Sequence, residues 1–551
     1  MKLQSTLGAL CALLALSGCQ TARPPGTVEP NPPARWQAPL PGPAAHGGSA
    51  AELADWWRRL DDPLLVELIG AAQAASPDLA AAAARIEEAR ATRVAAGAAL
   101  LPRLDGSAAA SRSNSATFGG SAPAASGSGG GTGTAAASTG ATAAGAAIPV
   151  TTAQLGVQAQ WEIDLFGRLR ANREAGDLRL AAAEARWHDA RVAVAAETAN
   201  AYFGERACRA QLAVSESDAG SRGETARLTD LSARAGFTAP ADAALARAGA
   251  ADASARLTQQ RAQCELQRKG LVALTGLQEP DLRSRLESAA GARDLPAIRA
   301  VDELPAVVLA QRPDVFAAEQ AVAAASADVG AARAERYPRL SLSGTVGRVQ
   351  LRAAGFGQSL NTWTIGPVAL TVPLFDGGTL AANAEAARAR YEESVSAYRA
   401  SVRRAVREVE EALVNLWSTE ARTGDAELAV RSYQASFDAT RARRESGLAS
   451  LFELEDSRRT LFAAQTARVS LQRERAQAWV ALYRAAGGGW TAPDAVRAAS
   501  ASVSTPALPS SASTSTSTST STSTSTSTSP SFRSPDRSPS AAGPSLSVPT
   551  P

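Results

Sequence analysis

Alternation of apolar and polar residues identifies one stretch of the chain as a β-strand with two different faces. Its apolar side carries Leu155, Val157, Ala159, Trp161 and Ile163, and its polar side carries Gln154, Gln158, Gln160, Glu162 and Asp164. A half-buried strand of a soluble protein and a membrane strand beside an aqueous lumen both fit this pattern. A further strand is predicted at 363–374, with a bulge at Gly366-Pro367 where its phase shifts.

Two other stretches have helical spacing and are unusually long. No proline interrupts residues 167–236 or 378–447, and a helix of about 65 residues would extend about 100 Å. In the second stretch, apolar residues recur every 3.5 residues on average, at Val395, Tyr398, Val402, Val406, Val409, Leu413 and Leu416. This is coiled-coil spacing. Gly236 and Gly447 are predicted to supply the left-handed turns at which the two helices end and reverse.

The chain contains two copies of one pattern. Ser76-Pro77-Asp78-Leu79 and Leu101-Pro102-Arg103-Leu104 return 236 residues later as Arg312-Pro313-Asp314-Val315 and Tyr337-Pro338-Arg339-Leu340. Gly236 returns as Gly447 after only 211 residues, so the first copy carries an insertion. The Ser/Gly/Ala-rich stretch 113–147 accounts for it as a low-complexity loop. Each copy is predicted as helix, strand, loop, strand, long helix, tight turn and helix.

Composition and motifs exclude several classes of function. The formal net charge is +3, from 56 Lys and Arg against 53 Asp and Glu, which is too balanced for a nucleic-acid-binding surface. The only histidines are His46 and His188, and the common hydrolase, metal and nucleotide motifs are absent. We therefore predict no enzyme activity, no catalytic residues, no metal site and no cofactor.

The amino terminus indicates the compartment. Residues 1–18 combine Lys2, an apolar run and small residues, as a secretory signal peptide does. Leu16-Ser17-Gly18-Cys19 resembles a bacterial lipobox, which implies lipidation of Cys19; the alternative is an ordinary signal peptide with a chance cysteine. Gln20, rather than Asp, favours the outer membrane by the same resemblance. No other stretch has 18 apolar residues in succession.

Taken together, these features resemble the lipoprotein outer-membrane factors of tripartite drug efflux systems. Besides Cys19 and the Arg312-Pro313-Asp314 junction, the matching motifs are Trp56-Trp57 with Asp62-Pro63-Leu64, and Gly447-Leu448 followed by Phe452-Glu453-Leu454-Glu455-Asp456. The resemblance implies an α+β membrane channel built from a tandem-repeat protomer. Three copies would form a 12-stranded outer-membrane β-barrel continued by a long periplasmic α-helical coiled-coil barrel.

The predicted organisation has five parts. They are a lipoprotein signal peptide at 1–18, a lipidated flexible tether at 19–50, a first efflux repeat at 51–290, a second repeat at 291–498 and a disordered Ser/Thr/Pro-rich tail at 499–551. The predicted location is the cell outer membrane, with a lipid anchor, an inserted barrel and a periplasmic helical domain.

The resemblance also implies the function and the partners. The channel would passively conduct drugs or other small toxic compounds from a periplasmic adaptor (membrane fusion) protein and an inner-membrane transporter of the RND type to the exterior. The expected partners are two further copies in a homotrimer, those two proteins and outer-membrane lipid, without nucleic acid. Adaptor docking is expected at the two helix turns, and plain hairpin geometry is the alternative. The docking residues are Gly236, Phe237, Thr238, Gly447, Leu448 and Ala449.

Two further sets of side chains are candidate sites. Asp242 and Glu453 each lie six residues after a turn glycine, with Asp456 one helical turn further on, and the resemblance places such acids at a periplasmic gate. Solvated positions on a helix exterior are the alternative. Cys208 and Cys264 each lie 28 residues from Gly236 on opposite arms, so a disulfide is predicted in an oxidising periplasm, with buried free thiols as the alternative.

Two other functions stay open. The first is the outlet of a type I protein secretion system, which would share the fold. The second is a structural coiled-coil surface protein, which predicts uninterrupted heptads and no repeated strand pairs.

Overall fold

The computed structural model describes residues 22–38, 57, 62–114, 149–288, 305–353 and 355–492. The predicted signal peptide, Cys19, His46, nearly all of the 113–147 insertion and the tail at 499–551 lie outside the described residues.

Helices and strands follow the same order in both halves of the chain. The first half contains α1 (Pro63–Ala75), α2 (Pro77–Ala98), β1 (Arg103–Asn114), β2 (Pro149–Ile163), α3 (Arg168–Arg234), α4 (Pro240–Thr275) and α5 (Glu279–Ser288). The second contains α6 (Pro305–Ala310), α7 (Pro313–Ala334), β3 (Arg339–Ala353), β4 (Phe356–Thr371), α8 (Thr379–Glu445) and α9 (Leu451–Ala485). The predicted order of elements within each copy is confirmed.

The lengths of corresponding helices show the duplication directly. Helices α2 and α7 each have 22 residues, and α3 and α8 each have 67. The return helices α4 and α9 have 36 and 35 residues. At 1.5 Å per residue, α3 and α8 are each about 100 Å long, so the predicted long arms are confirmed.

Local sequence explains where the shorter helices begin. Pro77 and Pro313 occupy the first turns of α2 and α7, where a missing N–H is not needed. The Ser76 hydroxyl accepts a hydrogen bond from the Leu79 N–H at 3.3 Å, and Asp62 caps α1 in the same way. The second carboxylate oxygen of Asp62 accepts from the Tyr202 hydroxyl at 2.7 Å. The Asp62-Pro63 motif therefore both starts α1 and ties it to α3.

The four strands form one antiparallel sheet in the order β1-β2-β3-β4. The predicted last strand at 363–374 is wrong in its bounds, because β4 covers Phe356–Thr371. The predicted bulge is present, since the register shifts where Leu342 pairs with Val368 and Gly344 pairs with Ile365. Gly366 and Pro367 together oppose the single residue Ser343, and this one extra residue keeps the apolar side chains of β4 on one face.

The main hydrophobic core lies where α1, α3, α8 and α9 meet. Its fully or almost fully buried members include Leu65, Leu68, Leu413 and Leu482. The predicted heptad positions of α8 are buried or partly buried in this core and in a second cluster around Tyr398 and Val402, so the coiled-coil spacing marks a packed seam. Truncating one such leucine to alanine would cost roughly 2–5 kcal/mol.

The second copy begins at a buried ionic junction. Arg312 has a side chain 6% exposed, and its guanidinium donates to Asp314 at 2.8 and 2.9 Å and to Glu408 at 2.8 Å. It also donates to the Ala485 carbonyl at 2.8 Å. Arg312 therefore joins the start of α7, the middle of α8 and the end of α9.

The segment Ala22–Ala38, called here the N-terminal strap, lies against the helices. The Pro24 and Pro25 carbonyls accept from Ser326 at 2.6 Å and from Tyr391 at 2.9 Å. Further along, the Gln37 and Ala38 N–H groups donate to Glu410 at 2.8 and 2.7 Å. The prediction of a flexible tether over 19–50 is therefore wrong for residues 22–38, because polar side chains of α7 and α8 satisfy this backbone.

No helix among the described residues is long and apolar enough to cross a membrane.

Candidate functional site

The two long hairpins end in turns of the same construction. Gly236 has φ +78° and Gly447 has φ +76°, a conformation that disfavours residues with a Cβ. The Phe237 N–H donates to the Ser232 carbonyl at 2.9 Å, and the Leu448 N–H donates to the Arg443 carbonyl at 2.7 Å. These bonds close a Schellman motif in each hairpin. The predicted role of both glycines in ending the helices is confirmed.

The turns expose apolar side chains. Phe237 is 86% exposed, and Leu448 and Phe452 are each 71% exposed. The Thr238 hydroxyl is 2.6 Å from that of Ser232, which holds the chain as it leaves α3. Ala449 is buried, so of the residues predicted for docking its side chain is the one that a partner would not reach. Each hairpin thus presents one large apolar side chain immediately after its glycine.

Glu453 caps the helix that follows the second turn. Ser450 and Glu453 form a capping box, in which the Glu453 N–H donates to the Ser450 hydroxyl at 3.1 Å and the Ser450 N–H donates to the Glu453 carboxylate at 3.3 Å. These hydrogen bonds from Ser450, with Arg443 nearby, lower the pKa of Glu453 below its usual value. The carboxylate is therefore ionised at neutral pH.

The other two predicted gate acids are Asp456, which lies three residues after Glu453, and Asp242, which has the equivalent position in the first copy. Asp456 pairs with Arg459 on the exposed side of α9. Asp242 lies half-buried in the first turn of α4, where a negative charge is favourable. Among the described residues of this single chain, no hydrogen bond or ion pair joins Asp242 to Glu453 or Asp456. The structure therefore positions the three acids near the turns without clustering them.

An ionic cluster between the two copies was missed by the sequence reasoning. Arg222 of α3 binds Asp218 at 2.9 Å and also pairs with Glu455 of α9. Glu455 in turn pairs with Arg458, whose guanidinium donates to the Thr225 hydroxyl at 3.0 Å. The four charged side chains are between 5% and 19% exposed. The signal available in the sequence was only two helical pairs, 218/222 and 455/458, each at ordinary spacing.

Cys208 and Cys264 form a disulfide that links α3 to α4, with their Cα atoms 5.5 Å apart. Both residues are buried, and the Gln260 side-chain amide donates to the Cys208 sulfur at 3.1 Å. Antiparallel packing of the two arms brings the cysteines level, because they lie at equal distances from the turn.

The two faces of the sheet differ in polarity over the half nearest the helices. Paired residues on one face, called here the apolar face, are exposed hydrophobic residues: Leu104, Leu155, Val157, Val346, Trp363, Ile365, Val368 and Leu370. The opposite face carries Gln158 and Gln160, with Thr345 and Ser343 opposite them. Monomeric soluble proteins rarely expose such a large apolar patch, so this face needs an apolar environment.

In the part of the chain that the structure describes, no group of three or more His, Cys, Asp and Glu residues could hold a metal ion.

Comparison with known proteins places the chain in a family. The pattern described as "Outer membrane efflux protein" matches residues 68–277 and 304–488. The pyoverdine export outer membrane protein OpmQ of Pseudomonas putida is 32% identical over 494 residues, which cover 89% of this chain and 99% of OpmQ. The solvent efflux pump outer membrane protein SrpC of Pseudomonas putida is 30% identical over 87% of this chain and 97% of SrpC.

A solved structure gives the same result. The outer-membrane channel OprN matches with a TM-score of 0.68 and 28% identity, over 83% of this chain and 99% of OprN. The chain belongs to the outer membrane efflux protein family.

Proposed function

We propose that three copies of this chain form the outer-membrane channel of a tripartite efflux pump, which conducts small toxic compounds from the periplasm to the exterior. The channel fold and the location in the cell outer membrane follow from the family. The relatives are named for export of pyoverdine, solvents, toluene and antibiotics, which supports small molecules as the cargo.

The observation that carries the proposal is a four-stranded sheet with two free edges and one exposed apolar face. Within the described chain, β1 and β4 each pair on one side only, and free edges invite pairing with another copy. Four strands are too few to close a barrel, whereas twelve are sufficient. Joining β4 of one copy to β1 of the next in a closed ring of three gives twelve strands with the apolar faces outward.

The helices supply the periplasmic part of the conduit. Arms of about 100 Å continue from the strands, because α3 follows β2 and α8 follows β4 after short connections. We propose that the exposed Phe237 and Leu448 bind the adaptor, with an inner-membrane transporter of the RND type supplying the energy. Conduction itself breaks no bonds, so we assign the chain no catalytic role.

The acids near the turns are candidates for the periplasmic gate. Asp242, Glu453 and Asp456 would be repeated three times around the axis, and rings of carboxylates favour cations and resist closure by mutual repulsion. Glu453 is also required by the capping box, so its two roles must be separated in any test. Asp456, whose side chain is about half exposed and not part of a cap, is the better position for substitution.

The N-terminal strap supports lipidation of Cys19. Ala22 accepts a hydrogen bond from Arg333, near the end of α7 that precedes the sheet. Cys19 is three residues earlier in the sequence, a separation that an extended chain spans in about 11 Å. A lipid on Cys19 would thus enter the membrane beside the strands.

The first test is accumulation of fluorescent dyes and antibiotics in cells that lack the gene, compared with the same cells carrying it. The proposal predicts higher accumulation without the gene. A complementing F237D/L448D variant should assemble in the outer membrane but fail to export, whereas the F237Y/L448M control should export normally. Unchanged accumulation together with loss of a secreted protein would instead establish the secretion outlet. The coiled-coil surface protein does not fit the four-stranded sheet.

A further inference from the structure

The far end of the sheet has a different surface from the half nearest the helices. This end, called here the distal end, lies at the turn between Ala353 and Phe356. On the apolar face it carries Arg112, Arg348 and Arg352, all exposed. Arg112 and Arg352 both pair with Thr151 of β2, and Arg348 pairs with Leu155. The register therefore places three arginines on the face that is apolar nearer the helices.

Their height follows from the strand geometry. Arg352 lies twelve residues beyond Leu340, about 40 Å along the strand and about 30 Å along the axis of a barrel with a tilt near 40°. The apolar band of an outer-membrane barrel is about 25 Å tall. Arg352 and Arg112 thus lie just beyond the outer edge of the apolar band, and Arg348 lies inside the band near that edge.

These arginines have no acidic neighbours on the strands. Between Gly106 and Trp161 the only charged residue is Arg112, and between Leu340 and Phe375 the only charged residues are Arg348 and Arg352. The Arg348 guanidinium donates to the Ser359 hydroxyl at 3.2 Å. A trimer would bring nine such positive charges within about 10 Å of one another in height, and anions from outside the protein would have to balance them.

The opposite face of the distal end supplies no anions. There Val349, Leu351 and Leu360 lie beside Thr152, Gln154 and Gln358, so the face is mixed in polarity and uncharged. Side chains of one strand alternate between faces, and Arg348 and Arg352 lie an even number of residues from Val346. They are therefore on the apolar face, which points outward in the proposed barrel.

We propose that Arg112, Arg348 and Arg352 form a collar that binds the phosphate groups of the glycolipid in the outer leaflet of the outer membrane. The inference rests on the proposed barrel, whose apolar face contacts lipid. Guanidinium groups bind phosphate with two parallel hydrogen bonds, and the outer-leaflet glycolipid carries its phosphates at the edge of the hydrocarbon region. The collar fixes the depth of the barrel and holds the distal strands against lipid.

The test measures glycolipid binding by the purified trimer. Native mass spectrometry in detergent would follow titration with lipid A carrying both phosphates and with lipid A from which both have been removed. The variants are R112Q/R348Q/R352Q and the charge-retaining R112K/R348K/R352K. The matched control R103Q/R336Q/R339Q removes three exposed arginines at the helix end of the sheet.

A basic side chain near an anionic membrane surface contributes about fivefold to binding, so we expect the triple glutamine variant to bind lipid A about 100-fold more weakly. The lysine variant keeps the charge but loses the paired hydrogen bonds, so it should bind more weakly than the original chain and more tightly than the glutamine variant. The control should bind as the original chain does, and removing both phosphates should weaken binding to the original chain. Equal binding by the glutamine variant, or indifference to phosphate, overturns the collar. If the trimer reaches the outer membrane and exports dye but binds lipid A equally well with and without its phosphates, only the collar is refuted. If the chain is absent from the outer membrane, the proposed function is refuted.

Discussion

The ionic cluster between α3 and α9 makes the sharpest prediction about how the two hairpins hold together. Glu455 pairs with Arg222 of the first copy and with Arg458 of its own helix. Glu455→Gln keeps the size of the side chain and removes its charge. Arg222, which is 13% exposed, would then keep Asp218, with which Arg256 also pairs at 3.5 Å. Arg458, which is 6% exposed, would lose its ion pair with Glu455.

The expected cost follows from this burial. Removing one partner of a buried ion pair costs about 3–5 kcal/mol because it leaves a buried charge uncompensated. Glu455 is 19% exposed and Arg222 keeps its bond to Asp218, so we expect about 2–3 kcal/mol. At 1.4 kcal/mol for each factor of ten, the separated hairpins become roughly 30- to 140-fold more populated.

Hydrogen exchange measures this population directly. Backbone amides in peptides covering 218–229 and 451–462 of the E455Q trimer should exchange faster by that factor, while the membrane strands should be unaffected. Glu474→Gln is the matched control: it lies on the same helix and pairs with Arg422 at 2.7 Å, but both side chains are about half exposed. An exposed pair contributes at most about 1 kcal/mol, so the control should change exchange by fivefold or less. Equal exchange in E455Q and E474Q would refute the reasoning.

Three further predictions concern the hairpins and the junction. Gly447→Ala places a Cβ at φ +76° with open space around it, so it should destabilise the turn by about 1–2 kcal/mol. Gly424→Ala within α8 should instead stabilise the helix by about 0.5–1 kcal/mol. The two substitutions should therefore shift the thermal unfolding temperature in opposite directions. Removing the disulfide with C208S/C264S opens a link across 56 residues and should cost about 4 kcal/mol, and reductant should lower the unfolding temperature of the original chain but not of the variant. Burial raises the pKa of Asp314, but the hydrogen bonds and charge of Arg312 outweigh it, so the pKa is lower than usual. The carboxylate therefore stabilises the fold above its unfolded pKa near 4, and this contribution is lost as pH falls through the lower folded pKa; D314N should reduce the loss of stability below pH 4.

Periodicity predicted the long helical hairpins because a proline-free segment of this length can form few other structures. Sixty-five residues without proline between two glycines, repeated once, leave little besides a pair of long helices, and the constant offset between motifs predicts a duplicated unit. The equal spacing of Cys208 and Cys264 around Gly236 likewise required only that the arms be antiparallel. These inferences depend only on residue types and their spacing within one segment of the chain.

Contacts between distant residues could not be predicted in this way. Residues 22–38 are rich in proline, which is typical of a flexible tether. Yet Ser326, Tyr391 and Glu410 satisfy the strap's backbone from positions more than 300 residues away in the sequence. Arg222 and Glu455 are 233 residues apart, and nothing in either helix indicates the other. The upstream end of β4 was missed because Gly355, Gly357 and Asn361 interrupt the alternation that identifies a strand.

Comparison of the two turns shows what duplication preserved and what it did not. Matching arms of 67 residues bring both turns to the same distance from the sheet, and unequal arms would leave one tip unable to meet a common partner. The glycines and the Schellman bonds are shared, but only the second turn has a capping box, since Ala239 leads into α4 without a side-chain cap. The acidic pair Glu453 and Asp456 and the cluster around Glu455 also lie after the second turn. Helix α9 carries two of the three candidate gate acids and the bond from Glu455 to Arg222 of α3, so a force applied at Leu448 acts on the gate and the cluster through one helix. Phe237 leads into α4, which carries the third acid, Asp242, and contacts the cluster only at its edge, where Arg256 pairs with Asp218 at 3.5 Å.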